Sequence, residues 1–134
     1  ALGISQLKKI KKFLQKRKSI SKHYIKEISK LRSLKISDQF SNLSAWHLFR
    51  INIDFNKIKI SKKKFFKIFL SKGIILQQHY IPLYKFSIYK NIKRKFPGAE
   101  SYFQSSVSLP IYYSLTKKNI SKIIKTLKNI VDNK

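Results

Sequence analysis

The sequence has no cysteine and no methionine, only three glycines and three prolines, and only five acidic residues among 134. Without cysteine there is no disulfide framework and no thiolate metal site, and the redox compartment stays open. Gly3, Gly73 and Gly98 stand too far apart to form a glycine-rich phosphate loop. The acids Glu27, Asp38, Asp54, Glu100 and Asp132 form no close pair suited to acid–base work or to a hard metal ion. His23, His47 and His79 are isolated from one another in sequence, which argues against zinc. No apolar run approaches the ~20 residues of a membrane-spanning helix. No charged-then-apolar leader opens the chain. From its own residues the chain is therefore expected to hold no catalytic residue, no metal ligand and no cofactor-binding residue. It opens on Ala1. Either removal of a starting methionine or excision from a longer chain is expected from that.

What is present in excess is positive charge, a net +26 from 31 basic residues. Charge of one sign on this scale suggests a polyanionic partner. The composition weakens that suggestion. Only Arg17, Arg32, Arg50 and Arg94 are arginine, the side chain best shaped for phosphate and guanine edges. The other abundant residues, Ile, Ser, Phe, Asn and Tyr, are mostly encoded, like Lys, by A/T-rich codons. Codon bias explains the composition better than a polyanion site does. A small basic nucleic-acid-binding protein stays as the alternative, since lysines with 13% aromatic residues would suit a single strand.

Hydrophobic residues make up 43% of the chain, enough for one modest core. Residues 1–32 carry Leu7, Ile10, Leu14, Tyr24, Ile28 and Leu31 at three- and four-residue steps, which predicts one long helix. Its stripe is thin and basic, which fits a helix lying across another domain better than a surface helix that binds an anionic partner. Residues 33–45 predict a linker, and Trp46 to Phe55 a strand. In that strand Trp46, Leu48 and Arg50 would face one side, and His47, Phe49, Ile51 and Ile53 the other. Ser61 is suited to cap a helix carrying Phe65, Phe66, Phe69 and Leu70, and Gly73 to end it. Ile74 to Gln78 predicts a second strand. Pro97 suits the first turn of a helix through Phe103, and Val107 to Leu109 an extended piece ending at Pro110. Thr116 suits the cap of a last helix with Ile120, Ile123, Ile124, Leu127 and Ile130 on one face. Helices alternating with few short strands imply an α+β domain. The expected division is a linking helix over 1–33 and a small α+β domain over 34–134.

The richest local segment runs from Gln77 to Tyr84. It follows a predicted strand, bends at Pro82, and offers the His79 imidazole with the Tyr80 and Tyr84 phenols. The alternative is half-buried packing for the two tyrosines and a satisfied polar group for His79.

Five segments, taken in order, resemble one family. The opening Ala-Leu-Gly-Ile-Ser-Gln-Leu over residues 1–7, with Arg17 further along, resembles the helix that follows the catalytic half in DegT/DnrJ/EryC1/StrS sugar aminotransferases. Ala45-Trp46-His47-Leu48-Phe49 resembles the strand that enters that family's small domain. Gly73-Ile74 followed by His79-Tyr80-Ile81-Pro82 resembles its glycine, strand and His-Tyr-x-Pro segment. Phe96-Pro97 with Ala99-Glu100, then Ser108-Leu109-Pro110 and Leu115-Thr116, resemble its closing pattern. The His-Tyr-Ile-Pro segment is nearest to members that aminate a UDP-linked 4-keto-6-deoxy sugar.

The resemblance implies the small C-terminal domain of a fold-type-I aminotransferase dependent on pyridoxal 5'-phosphate (PLP). It implies a cytoplasmic homodimer, a nucleotide-sugar substrate and an amino donor such as glutamate. The Schiff-base lysine, the aspartate that pairs the pyridine nitrogen and the phosphate-binding hydroxyls belong to the family's other half. This chain alone is expected not to transaminate. His79, Tyr80 and Pro82 match the segment that approaches the substrate, and Tyr84 stands where many relatives carry histidine. Arg50 is a candidate for attracting the pyrophosphate. An apolar patch on the first helix and the strand face, and poor solubility or self-association, are expected as well.

Overall fold

Three helix ends explain much of the chain's layout. Ser61 caps the helix α3 (Lys62–Ser71) by accepting from Lys64 N at 3.2 Å. That helix closes at Gly73, φ 67°, where Gly73 N donates to Leu70 O and Ile74 N to Phe69 O. This pair of bonds satisfies the last carbonyls, and a left-handed φ suits glycine there. Thr116 caps the last helix α5 (Lys117–Val131) through Asn119 N at 3.1 Å. All three fall where the sequence places them.

The fold is given by a computed structural model that describes residues 2–37, 41–89, 91 and 94–131. It is a small α+β architecture. The helices α1 (Leu2–Leu7) and α2 (Ile10–Ile28) lead into the strands β1 (Leu34–Ile36) and β2 (Phe49–Ile53). After α3 come two 3-10 turns (Leu83–Lys85 and Ser87–Tyr89), the helix α4 (Pro97–Ser105), the strand β3 (Ser106–Leu109) and α5. The sheet is antiparallel in the order β1-β2-β3, with Leu34 opposite Ile53 and Phe49 opposite Leu109.

Four expectations are corrected. The predicted single helix over 1–32 breaks at Lys8 and Lys9, where Lys9 N bonds Gln6 O at 3.0 Å. Lys8, Lys9, Lys11 and Lys12 crowd this point, and neither helix has an acid in its first turn. Like charges so close disfavour a continuous helix. Second, β1 lies inside the predicted linker, because Leu34 and Ile36 find partners on β2. Third, β2 begins at Phe49 rather than Trp46. Trp46 takes a left-handed φ of 47°, turns off the strand path, and is buried against Phe49 with ring centroids 6.0 Å apart. It therefore sits on the core side, not with Arg50. Fourth, Ile74 to Gln78 is not a strand: only Gln77 bridges, to Ser108.

Strand alternation sorts the sheet into two faces. Phe49, Ile51, Ile53, Val107 and Leu109 are buried in one core with Ile20, Tyr24, Ile28, Phe65, Phe69 and Leu127. The Tyr24 hydroxyl, deep in this core, donates to Pro110 O at 2.9 Å, and burial raises its pKa well above the ordinary phenol value. The opposite face presents Arg50 across from Ser108 and Asn52 across from Ser106. Helix α4 contacts β2, and its Tyr102 reaches Arg50.

Candidate functional site

The polar face of the sheet is where the side chains with chemistry converge. Ser106 and Ser108 alternate with Val107 and Leu109 along β3, so both hydroxyls point away from the aliphatic core. Gln77 exchanges two backbone bonds with Ser108, of 3.2 and 2.8 Å, and this brings the following residues onto the same face. His79 lands with Nδ1 2.8 Å from Ser108 Oγ. Tyr102 OH donates to His79 O at 3.3 Å and receives Arg50 Nη1 at 3.4 Å. Nearby, Arg17 Nη1 lies 3.3 Å from His47 Nδ1, tying α2 to the segment that enters β2.

His79 lies within the electrostatic reach of both His47 and Arg50. Burial pushes the His79 imidazole below its ordinary pKa of 6.5, and the positive fields of His47 and Arg50 push it further in the same direction. At neutral pH His79 is uncharged. With Nδ1 engaged by Ser108, Nε2 is the nitrogen available to a ligand. Such a cluster can hold an anion by charge and a hydroxyl by hydrogen bonding.

The other predicted site residues part company with His79. Tyr80 is exposed and sets its ring edge-on to His79, centroids 4.7 Å apart. Pro82 precedes the first 3-10 turn. Tyr84 turns to α4, donating to Glu100 Oε2 at 2.7 Å and stacking on Phe96 at 5.0 Å. Lys85 takes the other carboxylate oxygen of Glu100 at 2.7 Å. The bond to Lys85, followed by the bond to Tyr84, holds Glu100 below the ordinary carboxylate range. Ser108 and Tyr102 were not foreseen. Ser108 stands in the Ser-Leu-Pro segment and in a strand with small hydroxyls at alternating positions, though neither signal ties it to His79; nothing local marks Tyr102.

Among the described residues no group of three His, Asp or Glu side chains could hold a metal ion. The fit to PLP is also poor. A Schiff-base site needs a lysine amine facing a cavity beside an anion cup. Burial pushes Lys62 down to about 8, yet its Nζ is engaged by Phe103 O at 2.6 Å and Ser106 O at 2.8 Å. A groove of about 440 Å³ beside β1 and β2 carries Lys35 and Lys57, but it is open and lies apart from His79.

These features define a small α+β domain with polar and basic side chains gathered on one face of its sheet. The chain belongs to the DegT/DnrJ/EryC1/StrS aminotransferase family, whose model matches residues 1–128. Among similar proteins, a UDP-4-amino-4,6-dideoxy-N-acetyl-beta-L-altrosamine transaminase of Campylobacter jejuni is 34% identical over 98% of this chain and 36% of its own length. An uncharacterized protein of Methanocaldococcus jannaschii is 31% identical over 98% of this chain and 35% of its own length. A solved aminotransferase of Helicobacter pylori, described as involved in the biosynthesis of pseudoaminic acid, superposes with a TM-score of 0.88 at 24% identity. That match covers 99% of this chain and 36% of that one, and it shows the shared fold. The chain thus spans about a third of the length of the relatives it matches.

Proposed function

We propose that this chain is the small-domain portion of a PLP-dependent aminotransferase acting on a nucleotide-linked 4-keto-6-deoxy sugar, of the kind used for pseudaminic acid or other cell-surface polysaccharides. The observation that carries the reading is the 34% identity, along essentially the whole chain, to a transaminase named for a UDP-linked amino sugar. In this reading residues 1–33 link the large domain to the small domain of residues 34–134. The large domain supplies the Schiff-base lysine and the phosphate cup. The complete protein works as a cytoplasmic homodimer and takes its amino group from a donor such as glutamate.

The role assigned to this chain is recognition. Arg50 and Arg17, beside His47, attract the pyrophosphate. His79 Nε2 meets a sugar or phosphate oxygen, while Tyr80, Pro82 and Tyr84 shape the wall behind it. The test is amination of a UDP-4-keto-6-deoxy-N-acetyl sugar by the full-length protein that contains this chain, with PLP and glutamate, followed by mass spectrometry of the nucleotide sugar. Formation of the 4-amino product supports the reading. Turnover of a different keto sugar, or none with any nucleotide sugar, sinks the substrate assignment. Replacing Arg50 by Met is expected to raise KM about tenfold with kcat less affected, as loss of uniform binding does.

A further inference from the structure

We infer that Lys62 is a positioning residue for this site: held by Phe103 O at 2.6 Å and Ser106 O at 2.8 Å, it fixes the α4–β3 junction that carries both partners of His79. The significance of the inference rests on the proposed role of His79; its geometry stands independently.

Lys62 is out of place on its own helix. It is the first residue of α3, followed by Lys63 and Lys64, with no acid in that turn. A cation at a helix N-terminus opposes the helix dipole. Helix α4, by contrast, has no basic residue in its last turn. Its terminal carbonyls lack a cation from their own helix, and Lys62 reaches across from α3 to supply one. The Nζ also lies 5.4 Å from the centre of the Phe103 ring. A side chain that breaks a local rule in one element and satisfies another is a marker of tertiary purpose.

The Phe103 carbonyl is a meeting point. It accepts from Gln78 Nε2 at 2.6 Å as well as from Lys62. Gln78 immediately precedes His79. Tyr102, which holds His79 O, immediately precedes Phe103, and Ser108, which holds His79 Nδ1, lies two residues beyond Ser106. Three segments distant in sequence are thus fixed by two carbonyls. Burial pushes Lys62 down to about 8. A neutral amine still has two hydrogens, one for each carbonyl, so the hold survives titration.

The charge of Lys62 is not what depresses His79; burial does so first, then His47 and Arg50. A change at His79 on replacing Lys62 therefore reports geometry. The experiment is an NMR titration of the His79 ring in the full-length protein that contains this chain, well below its melting temperature, for the unsubstituted protein, Lys62→Met and Lys62→Arg. The expected result is a His79 midpoint that rises by about half a unit or more in Lys62→Met, as the pocket loosens and water enters, and stays near the unsubstituted value in Lys62→Arg. An unchanged midpoint in Lys62→Met overturns the inference, because a purely structural lysine would lower the melting temperature and leave the midpoint alone. If Lys62→Met does not fold, the Nζ hydrogens of the unsubstituted chain decide. Exchange with water about tenfold slower than for the other lysines supports the hold, and exchange at their rate overturns it. The titration needs no substrate, so the amination assay can fail while this inference stands, and the reverse.

Discussion

Helices α1 and α5 make an instructive pair. Both place aliphatic residues at helical spacing, and neither has an acid in its first turn. Yet α5 buries Ile120, Ile123, Ile124, Leu127 and Val131, while α1 buries nothing. Leu2, Ile4 and Leu7 remain 75%, 65% and 65% exposed. The difference lies in what each helix faces. Helix α5 packs against α2 and contributes to the core over the apolar face of the sheet. Helix α1 lies on the other side of the break at Lys8 and Lys9, and none of its residues is buried. An apolar stripe states that a helix suits a partner, and only the fold states whether that partner is in the same chain.

The comparison can be broken by substitution. Leu127→Ala, in the fully buried stripe of α5, is expected to cost about 2–5 kcal/mol in urea or thermal unfolding. Ile4→Ala, chemically similar on α1, is expected to stay within about 0.5 kcal/mol. Equal losses would mean that α1 is as much part of the core as α5. A smaller effect, about 1 kcal/mol, is expected from Tyr24→Phe, which leaves Pro110 O without its buried donor. Thr116→Ala should cost a similar amount by removing the cap of α5.

The smallest effect is electrostatic. The bond to Lys128, which joins α5 to α2 at 2.7 Å, is the leading cause that holds Glu27 below its ordinary pKa of 4.5. A carboxyl depressed by folding contributes stability that is present above its unfolded pKa and is lost as pH falls through the folded value. Acidification below about 4.5 should therefore weaken the α2–α5 contact. In Lys128→Met the Glu27 midpoint, followed by NMR, should move back up; a midpoint that does not move would show the ion pair to be absent in solution. Both side chains are about a third exposed, so the effect on unfolding is modest.

Much of this fold was legible because its signals are local. Ser61, Gly73, Pro97 and Thr116 each act within one turn, and the stripe of α5 repeats within one helix. The failures depend on distant partners. Leu34 to Ile36 becomes a strand only because Ile51 to Ile53 lies beside it, and Ile74 to Gln78 lacks such a neighbour over most of its length. Trp46 defeats simple alternation through one left-handed residue. The site divides the same way. His79 was marked by its segment, but its companions Ser108 and Tyr102 lie 29 and 23 residues away in sequence. Lys62, one of many lysines, is distinguished only by the two carbonyls it meets. The positive charge was the most conspicuous feature of the composition. The family assignment gives no support to a nucleic-acid role for it.

The central claim is that this chain belongs with a catalytic half whose surface α1 meets. The most direct test is the intact mass of the natural gene product in its own cells. The account predicts a mass near three times 15.9 kDa, in line with relatives of which this chain covers about a third. A product of 15.9 kDa, with no separate protein copurifying with it, would contradict the account. The aminotransferase signature would then describe the ancestry of the chain and not its activity.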